Sequence, residues 1–131
     1  MDRAAQLALV LEHATNARNE GALADADVVA EGGNLECGDR LTIYLKVDAA
    51  GRITAAFTGE ASTIGRAAAS LLTELVAGQT VAEAAAFDHE TLIAALGPDV
   101  VAARLCSVTL AVDTLHATIT TYRRRPIPTL S

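Results

Sequence analysis

The chain has no tryptophan and only four aromatic residues, Tyr44, Phe57, Phe87 and Tyr122. That scarcity argues against a stacking platform for single-stranded nucleic acid. Basic residues are also few: ten against sixteen acidic ones give a net charge of −6. Affinity for a phosphate backbone needs a concentrated basic surface, so nucleic acid is not expected as a partner. The one basic cluster, Arg123, Arg124 and Arg125, stands beside prolines and reads as part of a solvated, flexible tail over 122–131. No apolar run approaches the roughly 18–20 residues that cross a bilayer, and the stretch 7–11 is too short for a signal-peptide core. No membrane contact and a cytoplasmic location are therefore expected. Cysteine is reduced to Cys37 and Cys106, and two thiols in a reducing compartment are not a disulfide framework. P-loop, dinucleotide-binding and nucleophile-elbow patterns are missing, which leaves those catalytic classes without support.

What remains is a chain of 131 residues, 51% hydrophobic and 20% charged, with 28 alanines. It can bury a core, fits one domain over 1–131, and favours closely packed helices. Leu7, Leu11 and Ala14 lie at helical spacing within 2–14. Residues 16–27 mix Asn, Gly and Asp and read as a loop. Val28, Val29 and Ala30 suggest a short edge strand stopped by Gly32, Gly33 and Asn34. Residues 41–47 alternate apolar and polar side chains, the mark of a half-buried strand. A turn over 48–51 then leads into a partner strand over 52–57. From Ile64 to Val76 the apolar residues follow a helical stripe, and Gly78 ends it. Two short helical segments are predicted over 81–86 and 89–96, and a last helix over about 101–120. The order predicts an α+β fold: a small antiparallel sheet of about three strands covered on one face by several helices.

Four residues stand out as chemistry. Cys37 and Asp39 flank Gly38, which sets a soft thiolate and a hard carboxylate within reach of one metal ion. The alternative is a glycine-rich turn in which the cysteine fills space and the aspartate caps. Cys106 falls near the start of the last helix, where the helix dipole lowers a thiol pKa and improves a nucleophile or ligand. Equally, it can be a buried cysteine in an alanine-rich core. Ser62 falls at a strand-to-helix junction, where a serine ordinarily accepts the amide hydrogen of residue 64 or 65 as an N-cap. A metal-bound alkoxide is the rarer use. His13, His89 and His116 form no ligand-spaced pair and read as structural or solvent-facing.

These motifs, in their order, resemble the U-type iron–sulfur cluster assembly scaffolds, the IscU and NifU N-terminal group. The resemblance covers about 5–120. The loop Asn16-Ala-Arg-Asn-Glu-Gly21 is similar to the family's Asn-Pro-Arg-Asn-x-Gly. Gly33-Asn-Leu-Glu-Cys-Gly-Asp39 is similar to its first-cysteine motif, Gly-Asn-Pro-x-Cys-Gly-Asp. Phe57-Thr-Gly-Glu-Ala-Ser62 stands where the family has Phe-x-Gly-x-Gly-Cys, and Cys106 matches its third cysteine. The resemblance implies a non-enzymatic scaffold that takes sulfur from a cysteine desulfurase, holds iron, zinc or a 2Fe–2S cluster, and passes it to recipient apoproteins. It also implies Cys37, Asp39 and Cys106 as ligands, with Ser62 at the position of the missing cysteine. The chain departs from the family at Ser62, Ala61 and Leu35, and it lacks the Leu-Pro-Pro-Val-Lys stretch before the third cysteine. Serine is a harder donor of higher pKa than cysteine, so a cluster held at Ser62 is expected to be weaker. Three readings follow: a working scaffold that tolerates Ser62, with a cluster shared between two chains of a homodimer; a sulfur or metal carrier using Cys106; and a structural or regulatory partner-binding module without a stable cluster.

Overall fold

The computed structural model describes residues 2–125. Asp2 accepts the Ala5 amide hydrogen at 2.8 Å and caps the first helix, α1 (Arg3–Thr15). Three strands follow, β1 (Val28–Asn34), β2 (Asp39–Val47) and β3 (Ile53–Glu60), as an antiparallel sheet in the order β1-β2-β3. The helices are α2 (Thr63–Val76), α3 (Val81–Ala85), α4 (His89–Leu96), α5 (Pro98–Val101) and, after a 3-10 turn at Ala102–Arg104, α6 (Leu105–Arg124). This is the α+β architecture expected.

Alternation on β2 decides which face of the sheet is covered. Leu41, Ile43 and Leu45 are buried, while Thr42 and Tyr44 on the other face are half-exposed. Helix α6 packs on β1 and β2, α2 packs on β3, and α1 lies against α2. The helices present small side chains to one another: Ala67, Ala68 and Ala69 of α2 and Ala111 of α6 are fully buried. Larger groups, Leu72, Leu115 and Ile119, fill the space behind them. The edge of β3 is covered by the loop after α1. Phe57 donates its amide hydrogen to the Asn19 carbonyl at 2.9 Å, and Gly21 donates to the Phe57 carbonyl at 2.8 Å.

The structure corrects three expected element boundaries. First, β1 runs through Gly32 and Gly33 instead of stopping there. A Cβ at Gly32 would collide with the Thr114 side chain, so glycine is what lets α6 lie close to the strand. Second, the last helix begins at Leu105 rather than near 101, because the backbone is interrupted by the 3-10 turn. Third, 122–124 belong to α6, where Arg123 and Arg124 suit the negative end of the helix dipole. The remainder of the expected tail, 126–131, lies outside the described residues. By composition, Pro98–Arg124 contains a window apolar enough to cross a bilayer, contrary to the sequence reading. In the fold, Val108, Ala111, Val112, Leu115 and Ile119 of that segment face the core.

Candidate metal centre

At one end of the domain Cys37 meets Cys106 and Asp39 meets Ser62, and Arg104 links the two pairs. Asn34 and Asp39 face each other across the β1–β2 pair, which leaves a four-residue connection over 35–38. The Asn34 carbonyl accepts the Gly38 amide hydrogen at 2.7 Å, and the Asn34 side chain accepts that of Glu36 at 2.9 Å. Gly38 has φ +72°, a left-handed conformation that glycine adopts without a Cβ penalty. Leu35 and Glu36 are pushed into solvent, and Cys37 is left half-buried. Ser62 is the N-cap of α2 and accepts the Gly65 amide hydrogen at 3.1 Å. Cys106 is the second residue of α6, within the first turn, where the dipole favours an anion.

The Sγ atoms of Cys37 and Cys106 are in direct contact, with Cα atoms 6.2 Å apart. The two cysteines are thus brought together, where the sequence reading had not expected a bridge. Asp39, two residues beyond Cys37, is buried. Its Oδ1 accepts the Ser62 amide hydrogen at 2.9 Å, and its Oδ2 accepts from the Ser62 hydroxyl at 3.3 Å. The Ser62 and Ser107 hydroxyls are 3.3 Å apart. A buried carboxylate needs such partners, since desolvation without them is costly.

Two further residues were not legible in the sequence. Arg104 donates from Nη2 to the Cys37 carbonyl at 2.9 Å and approaches Asp39 Oδ1 at 3.4 Å. Among the described residues its Nε is buried without a partner. Ser107 is fully buried against Ser62. The only signal for Arg104 was a single cation in the apolar stretch 100–105; Ser107 had none.

The donor chemistry fits a metal: two sulfurs, one carboxylate and one hydroxyl suit a four-coordinate site. Among the described residues, no three His, Cys, Asp or Glu side chains already stand as a ligand cluster. The sulfurs engage each other, and Asp39 engages Ser62 and Arg104. Taking up an ion therefore requires the sulfurs to separate and the carboxylate to turn from the serine hydroxyl.

The histidines lie elsewhere. His13 Nδ1 is 2.7 Å from the Ser70 hydroxyl, which also accepts the Arg18 amide hydrogen at 2.8 Å. Burial first, and then the Arg18 charge, hold His13 below its ordinary pKa, against the opposing pull of Glu74 and Glu12. His89 Nε2 lies 2.7 Å from Asp113, and His116 Nε2 lies 2.7 Å from the Phe87 carbonyl.

Comparison with known proteins gives the arrangement a family. The model of the NifU-like N terminal domain matches residues 6–128. The iron–sulfur cluster assembly scaffold protein IscU of Thermotoga maritima is 36% identical over 79% of this chain and 73% of its own length. The zinc-dependent sulfurtransferase SufU of Bacillus subtilis is 34% identical over 56% of this chain and 49% of its own. Among solved structures, the N-terminal part of a nitrogen-fixing NifU-like protein from Brucella abortus has a TM-score of 0.75 at 24% identity. It covers 95% of this chain and all of that one, and shows the shared fold. The sheet, the helical cover and the first-cysteine loop thus place this chain in the NifU-like N-terminal domain family.

Proposed function

We propose that this chain is an iron–sulfur cluster assembly scaffold whose metal-binding end is made by Cys37, Asp39 and Cys106, with Ser62 as the fourth donor. The observation that carries this reading is the convergence of those four side chains in a fold shared with IscU relatives. The cargo is iron, zinc or a 2Fe–2S cluster. Sulfur would come from a cysteine desulfurase, and the product would pass to recipient apoproteins. Cys37 and Cys106 supply the thiolates that iron–sulfur chemistry prefers. Asp39 supplies a hard oxygen that exchanges more readily than sulfur, which suits a site that must release what it holds.

A second reading has its own support. Two sulfurs and two oxygens are a donor set for one zinc ion, and the SufU relative is named as a zinc-dependent sulfurtransferase. In this reading the site holds zinc and Cys106 accepts a sulfur atom, so the protein acts in sulfur transfer rather than as a passive carrier.

Anaerobic reconstitution with iron and sulfide, followed by an absorption spectrum and metal analysis, separates the two. Visible sulfide-to-iron bands with stoichiometric iron and sulfide are expected of a scaffold. Zinc retained at one ion per chain without those bands favours sulfur transfer. A chain that takes up neither metal overturns both.

A further inference from the structure

We propose that Cys37 and Cys106 form a redox-active dithiol, a modification site at which a low-molecular-weight disulfide closes an internal bridge. The bridge rests on the geometry of the two cysteines; only its effect on metal uptake depends on the scaffold reading.

The Cα separation of 6.2 Å falls inside the span that a disulfide bridges without backbone movement. That proximity is built in by contacts that need no metal. Arg104 stands two residues before Cys106 and holds the Cys37 carbonyl at 2.9 Å, so the loop and the helix start are tied together. Asp39, two residues beyond Cys37, is held by the Ser62 amide at 2.9 Å. The oxygen donors are therefore occupied with each other, and no third thiol stands at the site to compete for either sulfur. Both cysteines are half-buried rather than sealed, which leaves an approach for a small oxidant.

The reaction balances as two exchanges. One protein thiolate attacks the small disulfide, breaking its S–S bond and releasing one small thiol that takes up the proton. The second protein thiolate then attacks the protein-side sulfur of the mixed disulfide. That step forms the Cys37–Cys106 bond and releases the second small thiol. The protein loses two electrons and two protons, and the small disulfide gains them. Metal uptake needs free thiolates, so the bridged form should refuse the ion that the dithiol form accepts.

The test uses the metal-free 131-residue chain treated anaerobically with oxidised glutathione and read by intact mass after alkylation. The expected product is a monomer lighter by two hydrogens, closed to alkylation at both cysteines and reopened by dithiothreitol. Persistent glutathione adducts, or cross-linked chains in place of the internal bridge, would overturn the proposal. Zinc binding is then compared for the two forms, and on the order of tenfold or greater weakening is expected on bridging. Equal zinc affinity in both forms also overturns the switch. If even the reduced chain binds no zinc, the scaffold reading fails, while the mass result still decides whether the bridge forms.

Discussion

Ser62 has two jobs that one substitution can separate. Its hydroxyl accepts the Gly65 amide hydrogen and bonds Asp39. Ser62→Cys exchanges a neutral hydroxyl for a thiolate at a helix N-terminus, and zinc affinity is expected to rise on the order of tenfold or more. Because sulfur is the weaker cap, the metal-free variant is expected to lose up to about 1 kcal/mol, at the low end of N-cap losses. Zinc competition titration and urea unfolding of the same variant check both effects. Unchanged zinc affinity with lowered stability would leave Ser62 as a cap alone. Gly65 carries a related constraint. Alanine is ordinarily favoured over glycine within a helix by about 0.5–1 kcal/mol. Here the added Cβ would stand 2.6 Å from Asp39 Oδ2 and 3.1 Å from the Ala61 Cβ. Gly65→Ala is expected to show no gain in the urea midpoint and weaker zinc binding. A variant more stable by the usual helix increment, with zinc binding intact, would show that Asp39 can move aside freely.

At the scale of elements, α1 is fastened to α2 through the buried His13–Ser70 contact. The groups facing His13 are Arg18, Glu12 and Glu74. Its pKa is lower in the fold than the ordinary 6.5, so below that pH the unfolded chain binds the extra proton first. The stability linked to His13 is complete above about 6.5 and is lost as pH falls toward the folded value. Chemical denaturation at pH 5.5 and 7.5 should show a lower midpoint at the acid pH, and His13→Asn should reduce that difference. An identical pH dependence in the variant would remove His13 as its source. The elements also show what a sequence discloses. Strand β2 was legible because its alternation is local, and α2 because its stripe is continuous and ends at a glycine. The continuation of β1 through Gly32 was hidden, since the need for glycine arises from Thr114, far along the chain. The start of α6 was hidden by an apolar stripe that runs from Val101 through Leu105 to Val108 across an interrupted backbone. Cys37, Asp39 and Cys106 stood out by residue type and motif, whereas Arg104 and Ser107 acquire meaning only from the partners that folding brings to them.

Over the whole molecule, the alanines set the thickness of the core. Ala68 is fully buried on α2, where a longer side chain would force neighbouring layers apart. Ala68→Leu is therefore expected to destabilise the fold by about 1–3 kcal/mol through overpacking, despite adding apolar surface. Urea unfolding checks this, and an unchanged or raised midpoint would reveal unfilled space between the layers. The same layering bears on colloidal behaviour. A sheet edge with open amide and carbonyl groups is a template for another chain. The hook formed by residues 19–21 occupies that template on the β3 side. On the opposite side, among the described residues, β1 pairs only with β2, and there the strand carries exposed Glu31 at its centre and two glycines after it. Charge and weak strand propensity act as gatekeepers where backbone cover is missing. The protein thus guards its two flanks by different means, one by occupying the hydrogen bonds and the other by making an incoming strand a poor match.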